Sequence, residues 1–102
     1  MGNIDAYIGF SIKSGKILLG YDALEIKPYK AKIVLFSDDL SQNSVDKVIN
    51  LKSKYDFKSY RIKNEYFKGF IKKDNCKLIA LTDGELSKAV EQNIDNIFAE
   101  VL

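Results

Sequence analysis

Histidine and tryptophan are missing from this sequence altogether, and cysteine, proline and methionine each occur once. Without histidine the chain lacks the commonest general base, the commonest metal ligand and the partner of Ser-His and Cys-His nucleophiles. An enzyme made from it would have to work with carboxylates, Lys, Tyr or backbone groups, so the expectation is a non-enzymatic protein with no cofactor and no metal. A lone Cys76 excludes an internal disulfide and a cysteine-rich metal site. At a loop-to-strand junction with no strong base beside it, it reads as a small hydrophobe. No apolar run approaches the roughly 20 residues of a membrane helix. The opening MGNIDAYIGF has no basic segment ahead of an apolar one, and no Ser or Thr stands at the sixth position after its Met-Gly start. Neither a secretory signal nor myristoylation is expected, and cytoplasm is the expected compartment.

What is present suits one compact domain over residues 1–102. The hydrophobic fraction is 46%, enough for a core and against global disorder. The net charge is only +2, but it is unevenly spread. Lys47 to Lys73 carries nine basic residues against Asp56 and Glu65, whereas five acids follow from Asp83 onward against Lys88 alone. Clustered positive charge steers a protein toward phosphates even when the total is near zero, although a solvated lysine-rich surface looks the same in sequence.

Ile4, Ile8, Ser11 and Ile12, with Tyr7 beside them, repeat at helical spacing, and Gly15 stands where a C′ glycine ends a helix. A short strand, Ile17 to Leu19, is followed by a helix from Asp22 to Ile26 that Pro28 stops. KIVLFS, Lys32 to Ser37, and KLIALT, Lys77 to Thr82, are continuous apolar runs of the kind buried on both faces of a sheet. Between them, Val45, Val48, Ile49 and Tyr55 mark a helix, and KSYRI, Lys58 to Ile62, alternates as a strand. A short helix follows, capped by Asn64, with Tyr66, Phe67, Phe70 and Ile71 on its apolar side. After a turn at Asp83-Gly84, Leu86, Ala89, Val90, Ile94, Ile97, Phe98 and Val101 predict a long amphipathic C-terminal helix. Helices alternating with four strands predict an α/β fold, a three-layer α/β/α sandwich around one sheet.

Two groups of residues sit where chemistry collects in such folds. Asp38 and Asp39 follow the second strand and Asp83 the fourth. Carboxylates converging at strand ends hold magnesium in some signalling domains, but Asp also favours turns and caps, which is the reading preferred here. Gly20 follows a strand and opens a helix with Asp22 in its first turn, a setting in which backbone N–H groups and a close approach favour phosphate or base edges. Lys16 is expected to flank that same end.

SGKILLGYDALEIK, AKIVLFSDDLSQNS and LIALTDGELSKAV together resemble the bacterial YlxQ-like relatives of the kink-turn-binding ribosomal proteins, the archaeal L-seven-Ae and eukaryotic L-thirty-e group. The shared order is Gly15-Lys16, the strand Ile17 to Leu19, Gly20, a helix, Ala31-Lys32, then a hydrophobic strand ending near Asp38-Asp39. The resemblance runs from about Ile8 to Val90. It implies a three-layer sandwich with a mixed four-stranded sheet, and binding to a sharply kinked RNA containing sheared G·A pairs. It also implies that the helix after Gly20, Tyr21 to Lys27, enters the RNA groove, while the loop Lys72 to Cys76 covers a flipped-out base. Where the family carries Asn-Glu after the glycine, this chain has Asp22 and Ala23, and Lys27 stands one step late. A Leu-Gly and a later Gly-Lys of the family become Phe67-Lys68 and Lys72-Lys73. An aspartate cannot donate to guanine O6 as an amide can, so base selectivity is expected to be weaker than general RNA contact.

The expectation is therefore a non-enzymatic RNA-binding protein of ribosomal type. Gly20 and Lys16 shape the contact, Asp22 and Lys27 meet base edges or phosphates, and Lys32, Lys72 and Lys73 position the backbone. The partner is a structured RNA, with possible ribosome association and no membrane. The rival expectation is a protein-interaction module on the same fold.

Overall fold

The computed structural model describes residues 2–71, 75–94 and 99–101. Helix α1 (Gly2–Lys13) is followed by strand β1 (Ile17–Leu19), helix α2 (Tyr21–Ile26) and a 3₁₀ turn at Pro28–Lys30. Strand β2 (Ile33–Ser37), helix α3 (Gln42–Lys54), strand β3 (Lys58–Ile62) and helix α4 (Asn64–Phe70) come next. Strand β4 (Leu78–Leu81), helix α5 (Gly84–Gln92) and strand β5 (Ala99–Val101) complete the described elements.

Local chemistry sets most of these limits. α1 ends in a Schellman turn: the Lys16 N–H donates to the Ser11 carbonyl (2.9 Å), the Gly15 N–H donates to the Ile12 carbonyl (3.2 Å), and Gly15 takes a φ of +71°. α2 stops one residue before Pro28, whose ring disfavours helical geometry in Lys27. Ser41 caps α3 by accepting from the Ser44 N–H at 3.2 Å. Asp83 caps α5 by accepting from the Glu85 and Leu86 N–H groups at 2.8 and 3.0 Å. The expected turn at Asp83-Gly84 is thus a cap followed by the first helical residue. The expected cap at Asn64 is corrected: Lys63 holds that position, and Asn64 opens α4 with its N–H on Asp38 Oδ1 (3.1 Å) and its Oδ1 accepting from the Ser37 hydroxyl (3.0 Å).

The sheet order is β1-β4-β2-β3-β5, with β2 and β3 parallel and every other neighbouring pair antiparallel. The four expected strands form this mixed sheet, and β5 adds a fifth at its edge. The long C-terminal helix is corrected by that strand: α5 ends at Gln92 and residues 99–101 pair with β3, while Ile97 and Phe98 lie outside the described residues.

The continuous apolar run of β2 is explained by parity, because successive side chains point to opposite faces. Ile33 and Leu35 face one core with Ile4, Ile8, Phe67, Ile79 and Val90, which brings α1, α4 and α5 onto that side. Val34 and Phe36 face the other with Leu24, Val45, Val48, Leu78 and Ala80, under α2 and α3. Val34, Leu35, Leu78 to Leu81 and Ile94 are all buried, as a sheet covered on both faces requires. Each large apolar side chain so buried is worth about 1.5–3 kcal/mol relative to exposure. On α3 only Val45 and Val48 are buried. Ile49 and Tyr55, read as part of its inner stripe, are 46% and 36% exposed, because only the six-residue α2 shares that face among the described residues.

Candidate functional site

Strand direction divides the functional candidates between two ends of the sheet. β1 runs antiparallel to β4, with Ile17 opposite Leu81 and Leu19 opposite Ile79, and β4 is in turn antiparallel to β2. The residues after β1, β2 and β3 therefore gather with those before β4 at one end. Those before β1, β2 and β3 gather with those after β4 at the other. Lys16 and Gly20 are four residues apart along an extended strand, roughly 13 Å at about 3.3 Å per residue. The expectation that Lys16 flanks the Gly20 end is corrected on this ground.

At the first end, Gly20 takes φ 87° and ψ 162°, a region essentially closed to other residues, and its N–H donates to the Leu78 carbonyl at 2.8 Å. Its carbonyl accepts the first bond of α2 from Leu24. Across from it Asn75 has a φ of +69°, and among the described residues no other non-glycine residue has positive φ. Gly20, Tyr21, Asp22, Leu40, Asn75 and Lys77 are among the residues lining one open depression of about 300 Å³. So the turn after β1 and the segment entering β4 meet, although far apart in sequence. Tyr21 is half-buried, and its phenol is pushed above its ordinary pKa by burial and then by Glu25 and Asp22. The Lys47 ammonium lies 5.6 Å from the centre of that ring.

The aspartates at this end work as loop ties. Asp38 holds the start of α4, and Asp39 lies 3.6 Å from the Lys77 ammonium. The Ser37 hydroxyl, and then Lys77, hold the Asp39 carboxyl below the usual carboxylate range. Asp83 sits at the opposite end because β4 is antiparallel, so the three aspartates do not converge. Among the described residues no group of His, Cys, Asp and Glu is placed to hold a metal ion.

The second end carries a row of lysines. The Thr82 N–H donates to the Lys16 carbonyl (3.1 Å), the Lys32 N–H to the Leu81 carbonyl (2.9 Å) and the Lys58 N–H to the Lys32 carbonyl (3.4 Å). These bonds fix Lys16, Lys32 and Lys58 across the rim of one sheet, and all three are exposed. Lys16 Nζ pairs with Asp83 Oδ2 at 3.1 Å, and the Leu86 N–H, then Lys16, keep that carboxyl below its ordinary range. Lys58 Nζ lies 2.7 Å from Glu91 Oε2, which also accepts from the Tyr60 hydroxyl at 3.1 Å. The pairing with Lys58 lowers Glu91, and Glu91 raises Lys58, so both stay charged.

The structure thus brings Gly20 and Asp22 together at one end, and Lys16 and Lys32 at the other. Lys27 caps the C-terminus of α2, a helix only about 9 Å long that runs away from Gly20, and the chain reaches Lys32 four residues after the Pro28 turn begins. Lys16 and Lys32, expected to share one contact with Gly20 and Asp22, therefore share the opposite rim of the sheet. Lys72 and Lys73 lie outside the described residues. Lys30, Lys58 and Lys77 were not among the expected site residues, whereas Asn75 lies in the loop Lys72 to Cys76 that the resemblance assigns to a flipped-out base. Asn75 alone had a local signal, as a turn residue of the type that tolerates left-handed backbone. Cys76 is half-buried against the first core, with its Sγ 3.4 Å from the Leu78 carbonyl. Among the described residues no helix is long and apolar enough to cross a membrane.

The fold also occurs among solved structures. The chain is similar to a protein of unknown function from Bacillus halodurans C, with a TM-score of 0.76 at 16% sequence identity, over 90% of this chain and 96% of that one. At that identity the likeness establishes the α/β fold. No protein-family model matches the chain. No curated protein matches it.

Proposed function

We propose that this chain is a non-enzymatic RNA-binding protein that grips a structured, kinked RNA at the Gly20 end of its sheet. The observation that carries the reading is the meeting of two segments in one depression. The turn after β1 and the segment before β4 are those that the resemblance to kink-turn binders assigns to RNA, and Gly20 and Asn75 line the same hollow. A three-layer sandwich around a mixed sheet supports it as well. The proposed contact is narrower than the sequence suggests. Gly20, Tyr21, Asp22, Asn75 and Lys77 form it. Lys16 and Lys32 stand too far round the sheet to share it.

Asp22 presents only acceptors and Ala23 a methyl group, so the reading of base edges is weak and backbone contact dominates. Replacing Asp22→Asn together with Ala23→Glu restores the donor and acceptor set of the relatives. A good bidentate base contact is worth about 1–3 kcal/mol, so affinity for a kink-turn RNA over an unkinked duplex should rise by roughly ten-fold or more. A fluorescence titration at one fixed salt concentration, with folding checked by circular dichroism, measures it. No gain in the double variant, together with no loss in Asn75→Ala, transfers the proposal to the protein-interaction reading. Ile26 at 72% and Tyr29 at 64% exposure, three residues apart, are the observation that favours that second reading.

A further inference from the structure

At the Lys32 end two depressions meet over Gly84. One, of about 260 Å³, lies between the first turns of α5 and the N-terminal ends of β2 and β3. Lys32, Lys58, Gly84, Ser87 and Lys88 line it together with Asp56 and Glu91. The other, open and about 550 Å³, is lined by Lys16, Lys30, Lys32, Asp83 and Gly84, with Tyr29 and Thr82.

Two independent observations single out this place. Lys30 and Lys32 are exposed and carry no ion pair among the described residues, whereas Lys16 and Lys58 are balanced by Asp83 and Glu91. With Lys88 they leave an excess of positive charge over Asp56. Ser87 is only 6% exposed, yet its hydroxyl has no hydrogen-bond partner among the described residues, and it forms part of the lining of the smaller depression. A buried polar atom without a partner is rare, and such a group wants a ligand or a water. Gly84 opens α5 beside them. Like Gly9 and Gly69 it has no positive φ and no described atom within 4 Å of a built Cβ, so it leaves the surface open. The Glu85 and Leu86 N–H groups of that helix are already taken by the Asp83 carboxylate.

We infer that this end of the sheet is an anion site that takes a phosphate group between Lys32 and Lys88, over Gly84, with the Ser87 hydroxyl donating from beneath. The site is independent of the proposed contact at Gly20. The phosphate belongs either to a small free anion or to the backbone of a polynucleotide, and the two sources are separated by experiment. The first arm titrates the protein with inorganic phosphate and follows the amide shifts of residues 84–88. The second titrates an RNA duplex of unrelated sequence across a salt series. Both are repeated with Lys32→Gln/Lys88→Gln, and with Ser87→Ala, which removes an unsatisfied group and leaves the fold intact.

Saturating shifts confined to 84–88 that vanish in the double variant, and weaken several-fold in Ser87→Ala, establish the site with a free anion as its source. No response to inorganic phosphate, but a loss of duplex affinity in the double variant and a fall of about two in the slope of log K against log salt, establishes the site with a polynucleotide as its source. Responses to neither probe, or responses that the variants leave unchanged, overturn it. A kink-turn affinity that follows Asp22 and Ala23, with residues 84–88 responding to neither probe, overturns this inference while leaving the Gly20 reading in place.

Discussion

At the Gly20 end two positive-φ positions meet in one depression, whereas the Lys32 end, which has Gly15 at positive φ, is marked by its charges. Gly20 and Asn75 both have positive φ, and Asp38, Ser37 and Asn64 tie neighbouring loops together by side-chain bonds. The opposite rim consists of strand starts with regular ladder bonds, from which Lys16, Lys32 and Lys58 project. One end is specified by conformation and the other by electrostatics. Two glycines make the difference concrete: Gly20 is needed for its dihedral angles, and Gly84 is needed for nothing the fold itself demands.

The largest effect expected from that comparison is on folding stability. Gly20→Val forces a β-branched residue into a region essentially reserved for glycine, at a cost of about 1–3 kcal/mol. Gly84→Ala has a compatible backbone and open space, so it should be neutral or stabilise by up to about 1 kcal/mol through the unfolded chain. Urea denaturation of the two variants measures both. Equal losses erase the contrast between a conformational and a non-conformational glycine.

A smaller effect is expected from Asp83. Asp83→Ala removes the cap of α5 and should cost about 0.5–2 kcal/mol, whereas Asp83→Asn keeps an acceptor for the helix N–H groups and loses much less. Lys16→Ala removes only the exposed ion pair with Asp83, worth at most about 1 kcal/mol. If Lys16→Ala costs as much as Asp83→Ala, charge pairing rather than capping holds that corner.

The smallest effect is the pH response. Asp39, Asp83 and Glu91 all have folded pKa values below their ordinary ones. Groups of that kind add stability above the unfolded carboxylate range, about 3.9–4.3, and lose it as pH falls through their folded values. Lys58 is raised, so its contribution is complete below its unfolded pKa of about 10.4 and is lost as pH climbs through the folded one. Thermal unfolding between pH 7 and pH 3 should show a falling limb that is shallower in Asp83→Asn. An unchanged acid limb in that variant removes Asp83 from the account.

Much of the architecture was legible because it depends on local signals. The apolar runs of β2 and β4 announced strands buried on both faces, Gly15 announced a helix end, and Pro28 a helix stop. Residues 99–101 read as helix because Ile94, Ile97, Phe98 and Val101 keep helical spacing, while a three-residue strand shows itself only through its partner β3. The site was less legible for a different reason. Lys16 is separated from Gly20 by the length of β1 itself, but whether Asp83 lies beside Gly20 or opposite it depends on the direction of β4, and direction is settled by long-range pairing that no local pattern encodes. The overreach at Ile49 is of the same kind, since helical spacing marks an apolar stripe but not how much of it the neighbouring helix covers.

The two glycines around β1 also limit what the protein can associate with. β1 is an edge of the sheet, and its ladder bonds alternate, with the Lys16 carbonyl and the Gly20 N–H both turned toward β4. By that alternation only Ile17 and Leu19 turn backbone groups outward. Past either end, at Gly15 and Gly20, the chain leaves extended geometry through positive φ. A strand added from another molecule would find two residues to pair with and a bend beyond each, too short a template for edge-to-edge growth. The apolar β2 and β4, which would serve such growth better, are kept in the interior of the sheet.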